Sequence, residues 1–247
     1  MKSLSLIIPT FNDEKKIKIK ANILLKKIKK INLKYEIIFI NDGSSDNTKF
    51  EITKMMKKNK KIFLINNKIN MGKSYSVQKG LKKTKYNHVV LIDSDLPYFS
   101  KFESIIKLLK KNYDFIYINR RHSKSNMKID NFSFYKIIRF IIGYFVSLIL
   151  KYTMNLDTKN IDTQAGFKAF KKIKKIKNYD FVSKKFFLDV ELIFLYTFFK
   201  KKIISLPVSY KISSSSSINL FNIKMNLTIL YELLKVIIKT ISVKKKL

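Results

Sequence analysis

Two carboxylates, Asp93 and Asp95, stand one residue apart in HVVLIDSDLPY (residues 88 to 98), directly after an apolar run from Val89 to Ile92. In a chain with 17 acidic and 52 basic residues, two negative charges at the end of a strand-like run need a reason. Paired carboxylates at a strand terminus can hold a divalent cation, Mg2+ or Mn2+, on hard oxygen ligands, and such a cation neutralises a diphosphate. The structural alternative for the same residues is helix capping and surface charge.

Three other polar stretches follow apolar runs: PTFND (Pro9 to Asp13), NDGSSDNT (Asn41 to Thr48) and NMGKSYSVQKG (Asn70 to Gly80). Gly43 supplies a turn and Asp46 a helix cap. The runs themselves, Leu4 to Ile8, Tyr35 to Ile40, Ile62 to Ile65, Val89 to Ile92 and Phe115 to Ile118, have the length and β-branched content of strands. Lys-rich amphipathic segments of helical length lie between them, near 14 to 31, 46 to 59, 73 to 85 and 100 to 111. This rhythm predicts an α/β fold with a mostly parallel sheet flanked by helices, whose ligands bind at the carboxyl ends of the strands. Four strand ends then converge on one crevice lined by Asp13, Asp42, Asp93 and Asp95.

Several chemistries are disfavoured by what is missing. There is no Gly-x-x-x-x-Gly-Lys-Ser/Thr loop for a P-loop hydrolase and no Gly-x-Gly-x-x-Gly for a dinucleotide enzyme. The chain has no cysteine, and His88 and His122 cannot make a zinc site by themselves. No serine has a histidine and an acid at an arguable spacing for a hydrolytic triad.

Scarcity carries information in a chain so biased towards lysine. Only three basic residues are arginines, Arg120, Arg121 and Arg139. Their survival suggests that planar, multi-donor guanidinium groups are wanted there, as for phosphate.

The second half is more apolar. Residues 132 to 154, FSFYKIIRFIIGYFVSLILKYTM, form either a buried core helix or a helix lying in a membrane interface with its basic groups at headgroup level. The longest uncharged run, Phe140 to Leu150, is too short for a spanning helix, which needs about 20 residues. Near the C-terminus Leu227, Leu230, Leu234, Ile237 and Ile241 fall on one helical face while Glu232, Lys235 and Lys239 face elsewhere. That helix docks on its own domain or on a membrane, and a boundary near 219/220 would set it apart from a domain of residues 1 to 219. The closing KKKL fits a dilysine retrieval signal, and SSSSS (Ser213 to Ser217) reads as a mobile loop. The first residues go straight into a strand pattern, without the features of a signal peptide.

At 247 residues and 46% hydrophobic content the chain can bury one substantial core. The formal charge of +35 suits nucleic acid or an anionic membrane surface. Aromatic residues concentrate in apolar segments and no stacking platform interleaved with Arg is readable, so a nucleic-acid partner is not expected.

The ordered set LSLIIPTFND, YEIIFINDGSSDNT, NMGKSYSVQKGL, VVLIDSD, NRR, DTQAGFKAF and FLDVELIF resembles the inverting nucleotide-sugar glycosyltransferases of family 2 with the GT-A fold. Within that family it resembles the polyprenyl-phosphate glycosyltransferases, over residues 4 to about 210. DTQAGFKAF (Asp162 to Phe170) is closer to the dolichyl-phosphate β-glucosyltransferases than to the mannosyltransferases.

The resemblance implies roles. Pro9, Thr10 and Asp13 would border the nucleotide, with Asp13 one methylene shorter than the usual Glu. Asp42 would bind the base or ribose, and Lys73 would lie near the nucleotide. Asp93 and Asp95 would engage ribose, sugar and metal. Arg120 or Arg121, with Arg139, would grip the donor's diphosphate and the acceptor's phosphate. Lys168, Asp189 and Glu191, with Arg139, are candidates for the acceptor side, although Asp189 and Glu191 read equally as helix residues pairing with lysines. Pro97 stands where many relatives carry a metal-binding Gln. The family's late Arg- and Gly-containing loop appears as YKISSSSSINL, for which Lys211 and Lys224 are the possible substitutes.

The activity so implied is inverting transfer of a sugar, glucose from UDP-glucose foremost, to a polyprenyl or dolichyl phosphate, at the cytoplasmic face of a membrane (the endoplasmic reticulum in a eukaryote, the plasma membrane in a prokaryote). Alternatives are a GDP-mannose-dependent enzyme or a transferase acting on a cell-envelope carbohydrate. A hydroxyl acceptor would need a carboxylate base, for which Asp189 or Glu191 is the candidate, whereas a lipid phosphate is already ionised.

Overall fold

The computed structural model describes residues 1–128, 134–154, 162–177, 179–211 and 222–245. The five strands expected from the apolar runs are present: β1 (Ser3–Thr10), β2 (Lys34–Asp42), β3 (Ile62–Asn67), β4 (His88–Ile92) and β5 (Phe115–Ile118). They alternate with α1 (Glu14–Lys29), α2 (Thr48–Lys58), α3 (Lys73–Lys83) and α4 (Phe102–Lys110). The chain continues through β6 (Asn126–Lys128), α5 (Phe134–Met154), β7 (Phe167–Lys171), α6 (Lys174–Lys177), α7 (Leu188–Phe198), β8 (Ile203–Leu206), β9 (Ser209–Lys211) and α8 (Ile223–Lys245).

Seven strands form one sheet in the order β3-β2-β1-β4-β7-β5-β8, and β6 pairs with β9 beside it. Every pairing in the large sheet is parallel except those of β7, which runs antiparallel between β4 and β5. A parallel sheet must be covered on both faces, so its strands read as continuous apolar runs. Leu4, Leu6 and Ile8 of β1, with Ile37 and Phe39 of β2, join the core shared with Ile17, Leu24 and Ile28 of α1 and Phe102, Ile105 and Leu109 of α4. The alternate residues Ile7, Ile38 and Ile40 join the opposite core, with Val77 of α3 and Val190 and Phe194 of α7. The helical spacing of four and seven in α1 and α4 places each apolar set on one stripe.

Strand β7 is absent from the sequence expectation because its five residues, FKAFK, include a lysine that is fully buried in the structure. Phe167 and Ala169 point to the α1/α4 core and Phe170 to the α7 core.

Helix α8 docks on a different face from the one that hydrophobicity alone selects. Leu233 and Val236 enter the α3/α7 core with Glu232 and Thr240 buried beside them, so Glu232 faces inwards. Of the expected stripe only Ile237 packs there, while Leu227 is 62% exposed and Leu230, Leu234 and Ile241 also lie outside. The helix is apolar around much of its circumference, and the hydrogen-bonding demand met by Glu232 selects the inward side. It shares the core of α3 and α7.

In α5, Leu150 is buried and Val146 packs against the same core, whereas Ile141, Ile142, Tyr144, Ile149 and Tyr152 are exposed. A fully buried helix is therefore not what α5 is. Among the described residues no helix is long and apolar enough to cross a membrane. The serine run at 213–217 lies outside the described residues.

The docking face of α8 can be read by mutation. Leu233→Ala lowers the unfolding free energy by about 2–5 kcal/mol, whereas Leu230→Ala, on the outer face, stays within about 0.5 kcal/mol. Denaturant titration of both variants checks this, and equal losses would contradict the docking face described.

Candidate active site

In an open α/β sheet the crevice forms where the strand order reverses, here between β1 and β4. Pro9 and Thr10 end β1 there, and Asp93 and Asp95 follow β4. The loops after β1 and β2 interlock over this edge. Asn12 N–H donates to Ser44 Oγ at 3.0 Å, and Ser45 N–H returns to Asn12 Oδ1 at 2.9 Å. Asp13 N–H reaches Thr48 Oγ1 at 2.7 Å. Asp46 caps two helices at once, accepting from Glu14 N–H at 3.1 Å and Thr48 N–H at 3.0 Å, so the capping role expected of it is doubled. Among the described residues, one carboxylate oxygen of Asp13, Oδ2, is buried without a hydrogen-bond partner.

Asp42 is buried at the end of β2 and ties down the third loop. Its carboxylate accepts from Asn67 Nδ2 at 2.7 Å, Met71 N–H at 3.0 Å and Gly72 N–H at 2.8 Å. The turn it holds ends in Gly72, whose φ of +97° suits glycine and whose missing Cβ leaves room for Lys184 O and Lys185 Cα. Lys73 follows as the first residue of α3, and its Nζ lies 2.6 Å from Asp93 Oδ1. Burial pulls the Lys73 ammonium down, but Asp93, Asp189 and Asp95 outweigh it and raise the group above the ordinary lysine range.

Asp93 is seated against bare backbone. Its N–H donates to Gly166 O at 3.0 Å, and a Cβ on Gly166 would fall 2.1 Å from Asp93 Oδ2. The chain then turns through Leu96 and Tyr98, at φ of 54° and 57°, on either side of Pro97. Such conformations cost about 1–3 kcal/mol each in non-glycine residues, and they hold the two aspartates in a tight turn after β4. Asp95 remains exposed, and burial together with the nearby Asp93 raises its carboxyl above the usual range.

The acceptor-side candidates lie deeper. Lys168 is 1% exposed, with Nζ 2.6 Å from Ala165 O and 3.2 Å from Asp189 Oδ1. Burial lowers the Lys168 ammonium, Asp189 opposes that shift, and Lys73 adds to it. Glu191 does not reach the crevice: it is fully buried and accepts from Val182 N–H and Ser183 N–H, both at 3.0 Å. Burial pushes its carboxyl up to about 7 in spite of these two donors.

Arg120 and Arg121 are engaged within the chain. Arg120 grips Asp162 with Nε at 2.5 Å and Nη2 at 2.9 Å, the bidentate geometry that lysine cannot supply. Burial opposes the charge on both Arg120 and Asp162, but their pairing outweighs it, raising the guanidinium and lowering the carboxyl. Arg121 donates to Ser147 Oγ on α5 and sits 5.8 Å from the Tyr144 ring, so it anchors α5 beside the crevice. Arg139 belongs to α5, but its side chain lies outside the described residues, as does that of Lys211. Lys224 is exposed at the start of α8.

Asp93 and Asp95 fit a divalent cation in one particular way. Among the described residues no third carboxylate or imidazole completes a ligand set with them. Two carboxylates suit Mg2+ or Mn2+ that takes its remaining ligands from phosphate and water rather than from an all-protein cage.

The architecture is the GT-A fold. Glucosyl-3-phosphoglycerate synthase from Mycobacterium tuberculosis, solved with Mn2+, UDP-glucose and phosphoglyceric acid, superposes with a TM-score of 0.61 over 96% of this chain and 80% of that one, at 14% identity. Mannosyl-3-phosphoglycerate synthase from Rubrobacter xylanophilus gives 0.63 over 100% and 76%, at 12% identity. The family model for glycosyl transferase family 2 matches residues 5–174, and the chain belongs to that family. A dolichyl-phosphate beta-glucosyltransferase of Trichomonas vaginalis, ALG5A, is 31% identical over 177 residues, 68% of this chain and 52% of the relative. The human dolichyl-phosphate beta-glucosyltransferase is 25% identical over 223 residues, 85% of this chain and 67% of the relative. The chain thus spans about half the length of several of the curated relatives it matches.

Gly166 and Glu232 are the positions that sequence reasoning passed over. Gly166 is one of only five glycines and sits inside DTQAGFKAF, so the scarcity argument used for arginine would have marked it.

Two outcomes follow from this geometry. Gly166→Ala forces Asp93 off its seat and abolishes binding that depends on Asp93 while leaving the circular dichroism spectrum unchanged; calorimetric titration with nucleotide-sugar and Mn2+ checks it. Because Glu191 is raised above its unfolded value, its contribution is present at low pH and lost as pH rises from about 4.5 through about 7. Wild type therefore loses stability relative to Glu191→Gln across that window, by at most about 3 kcal/mol, in paired denaturant titrations.

Proposed function

We propose that the protein is an inverting glycosyltransferase that moves a sugar from a nucleotide-sugar, UDP-glucose foremost, to a polyprenyl or dolichyl phosphate at the cytoplasmic face of a membrane. The observation that carries the acceptor class is the state of the two acceptor-side carboxylates. Asp189 is 5% exposed and paired with Lys168, and Glu191 is spent on two backbone amides. A hydroxyl acceptor would need one of them as a base, whereas a phosphate monoester is ionised at neutral pH and needs only positioning and charge screening. The similarity to dolichyl-phosphate beta-glucosyltransferases supports the same acceptor and sugar.

In this reading Pro9, Thr10, Asp13 and Asp42 border the nucleotide, and the unpartnered Oδ2 of Asp13 takes a donor from it. Lys73 lies beside the diphosphate, and Asp93 and Asp95 would hold a divalent cation. When bound, that cation stabilises negative charge on the departing diphosphate. The acceptor phosphate oxygen forms a bond to the anomeric carbon as the bond to the nucleoside diphosphate breaks on the opposite face. An α-linked donor then gives a β-linked lipid-phosphate sugar. No proton is transferred from the nucleophile.

The exposed apolar faces of α5 and α8 support a membrane-surface location. The two helices pack against each other and expose Ile142, Tyr152, Leu227, Leu230, Leu234 and Ile238. Lysines surround them in a chain of charge +35, as suits an anionic headgroup layer.

The test is a transfer assay with Mg2+ or Mn2+, a short polyprenyl phosphate in detergent, and UDP-glucose beside GDP-mannose, with the lipid product read by mass spectrometry. A product from UDP-glucose is expected, and product from GDP-mannose alone would move the sugar. Failure to glycosylate the lipid, alongside transfer to a carbohydrate hydroxyl, would overturn the acceptor. Asp95→Asn is expected to cut turnover by at least about 100-fold. Replacing Leu227, Leu230 and Leu234 together by Ser should release the protein from anionic vesicles in a sedimentation assay without changing detergent-phase turnover.

A further inference from the structure

Five consecutive backbone amides, Val182 to Phe186, lie in an irregular segment without a strand or helix to satisfy them, and two carboxylates take them all. Glu191 of α7 accepts from Val182 and Ser183, and Glu232 of α8 accepts from Lys184 at 3.0 Å, Lys185 at 2.9 Å and Phe186 at 3.0 Å. Ser183 Oγ adds a contact to Glu232 at 3.2 Å. A carboxylate that receives four donors at 7% exposure is held by geometry rather than by a lysine partner.

The loop so gripped lies directly on the first turn of α3. Lys184 O accepts from Tyr75 N–H at 2.8 Å, Gln78 Nε2 donates to Ser183 O at 2.6 Å, and Ser74 Oγ meets Ser183 Oγ and Leu188 N–H, both at 3.3 Å. Gly72 has no room for a Cβ beneath Lys184 and Lys185. The residue between Gly72 and Ser74 is Lys73, 2.6 Å from Asp93.

We propose that Glu232 is a positioning residue for the donor site. It clasps residues 184–186, the clasped loop fixes the first turn of α3, and that turn sets Lys73 against Asp93. The same helix presents Leu230 and Leu234 outwards, so the element that we assign to the membrane surface also holds the crevice in order. Donor binding is thereby tied to the seating of α8. The inference rests on the donor-site reading above, but the contacts that carry it exist whatever the sugar.

The experiment compares wild type with Glu232→Ala and Glu232→Gln by donor kinetics, amide hydrogen exchange and vesicle sedimentation. Glu232→Ala is expected to raise the KM for UDP-glucose at least tenfold and to speed exchange at residues 71–76 as well as 182–187. Vesicle binding should stay unchanged, because the outer face of α8 is intact. Glu232→Gln keeps one acceptor oxygen and should fall between the two, and it carries the test if the Ala variant does not fold. Faster exchange confined to 182–187 and α8, with 71–76 as in wild type and KM within twofold, would make Glu232 a stability residue only and overturn the proposal. If wild type turns over no nucleotide-sugar, the functional reading fails, and exchange at 71–76 still decides the coupling.

Discussion

The contact on which the rest of the site depends is the ion pair between Lys73 and Asp93. It joins the half of the domain built from β1 to α3 with the half that begins at β4. Each partner is held from behind by elements distant in sequence: Asp93 by the bare backbone of Gly166, and Lys73 by the turn that Asp42 ties down and by the loop at 182–186. A shift in any of these moves a charge at the crevice. The strained turn at Leu96 and Tyr98 persists because so many of these constraints agree.

Acids are scarce in this chain, and the buried ones bind backbone more than they bind lysine. Asp42, Asp162, Glu191 and Glu232 each accept from at least one main-chain N–H of an irregular segment. The physical reason is that loops at the carboxyl edge of a parallel sheet bury amides that no ladder can satisfy. A surface lysine gains little from pairing and keeps its hydration, whereas an amide buried without an acceptor costs about 1–3 kcal/mol. Such carboxylates therefore do structural work that turn residues would do in a less biased composition. Asp93 differs in that its side chain pairs with the Lys73 ammonium.

Much of this was legible beforehand. The five parallel strands appear as uninterrupted apolar runs because both sheet faces are covered, and their ends carry the polar loops that interlock in the structure. The argument from arginine scarcity identified positions that need a planar fork, but for Arg120 the fork meets Asp162 within the chain. Strand β7 escaped notice because Lys168, buried through its contact with Asp189, breaks the apolar pattern of a five-residue strand. For α8, hydrophobic spacing put Glu232 outside, since a helical wheel cannot know that a distant loop offers three amides.

The sequence alone determined the α/β alternation and the place of Asp93 and Asp95. Parallel strands share one polarity, so everything that follows a strand must gather on one edge of the sheet. Only the tertiary structure decided which face of α8 turns inwards, that Asp189 and Glu191 are already engaged, and that Gly166 seats Asp93. Those outcomes depend on partners brought together by the packing, as when Glu232 takes the N–H of Lys184, 48 residues away. Local pattern encodes the demand of a residue for a partner, and only the packed chain identifies the partner.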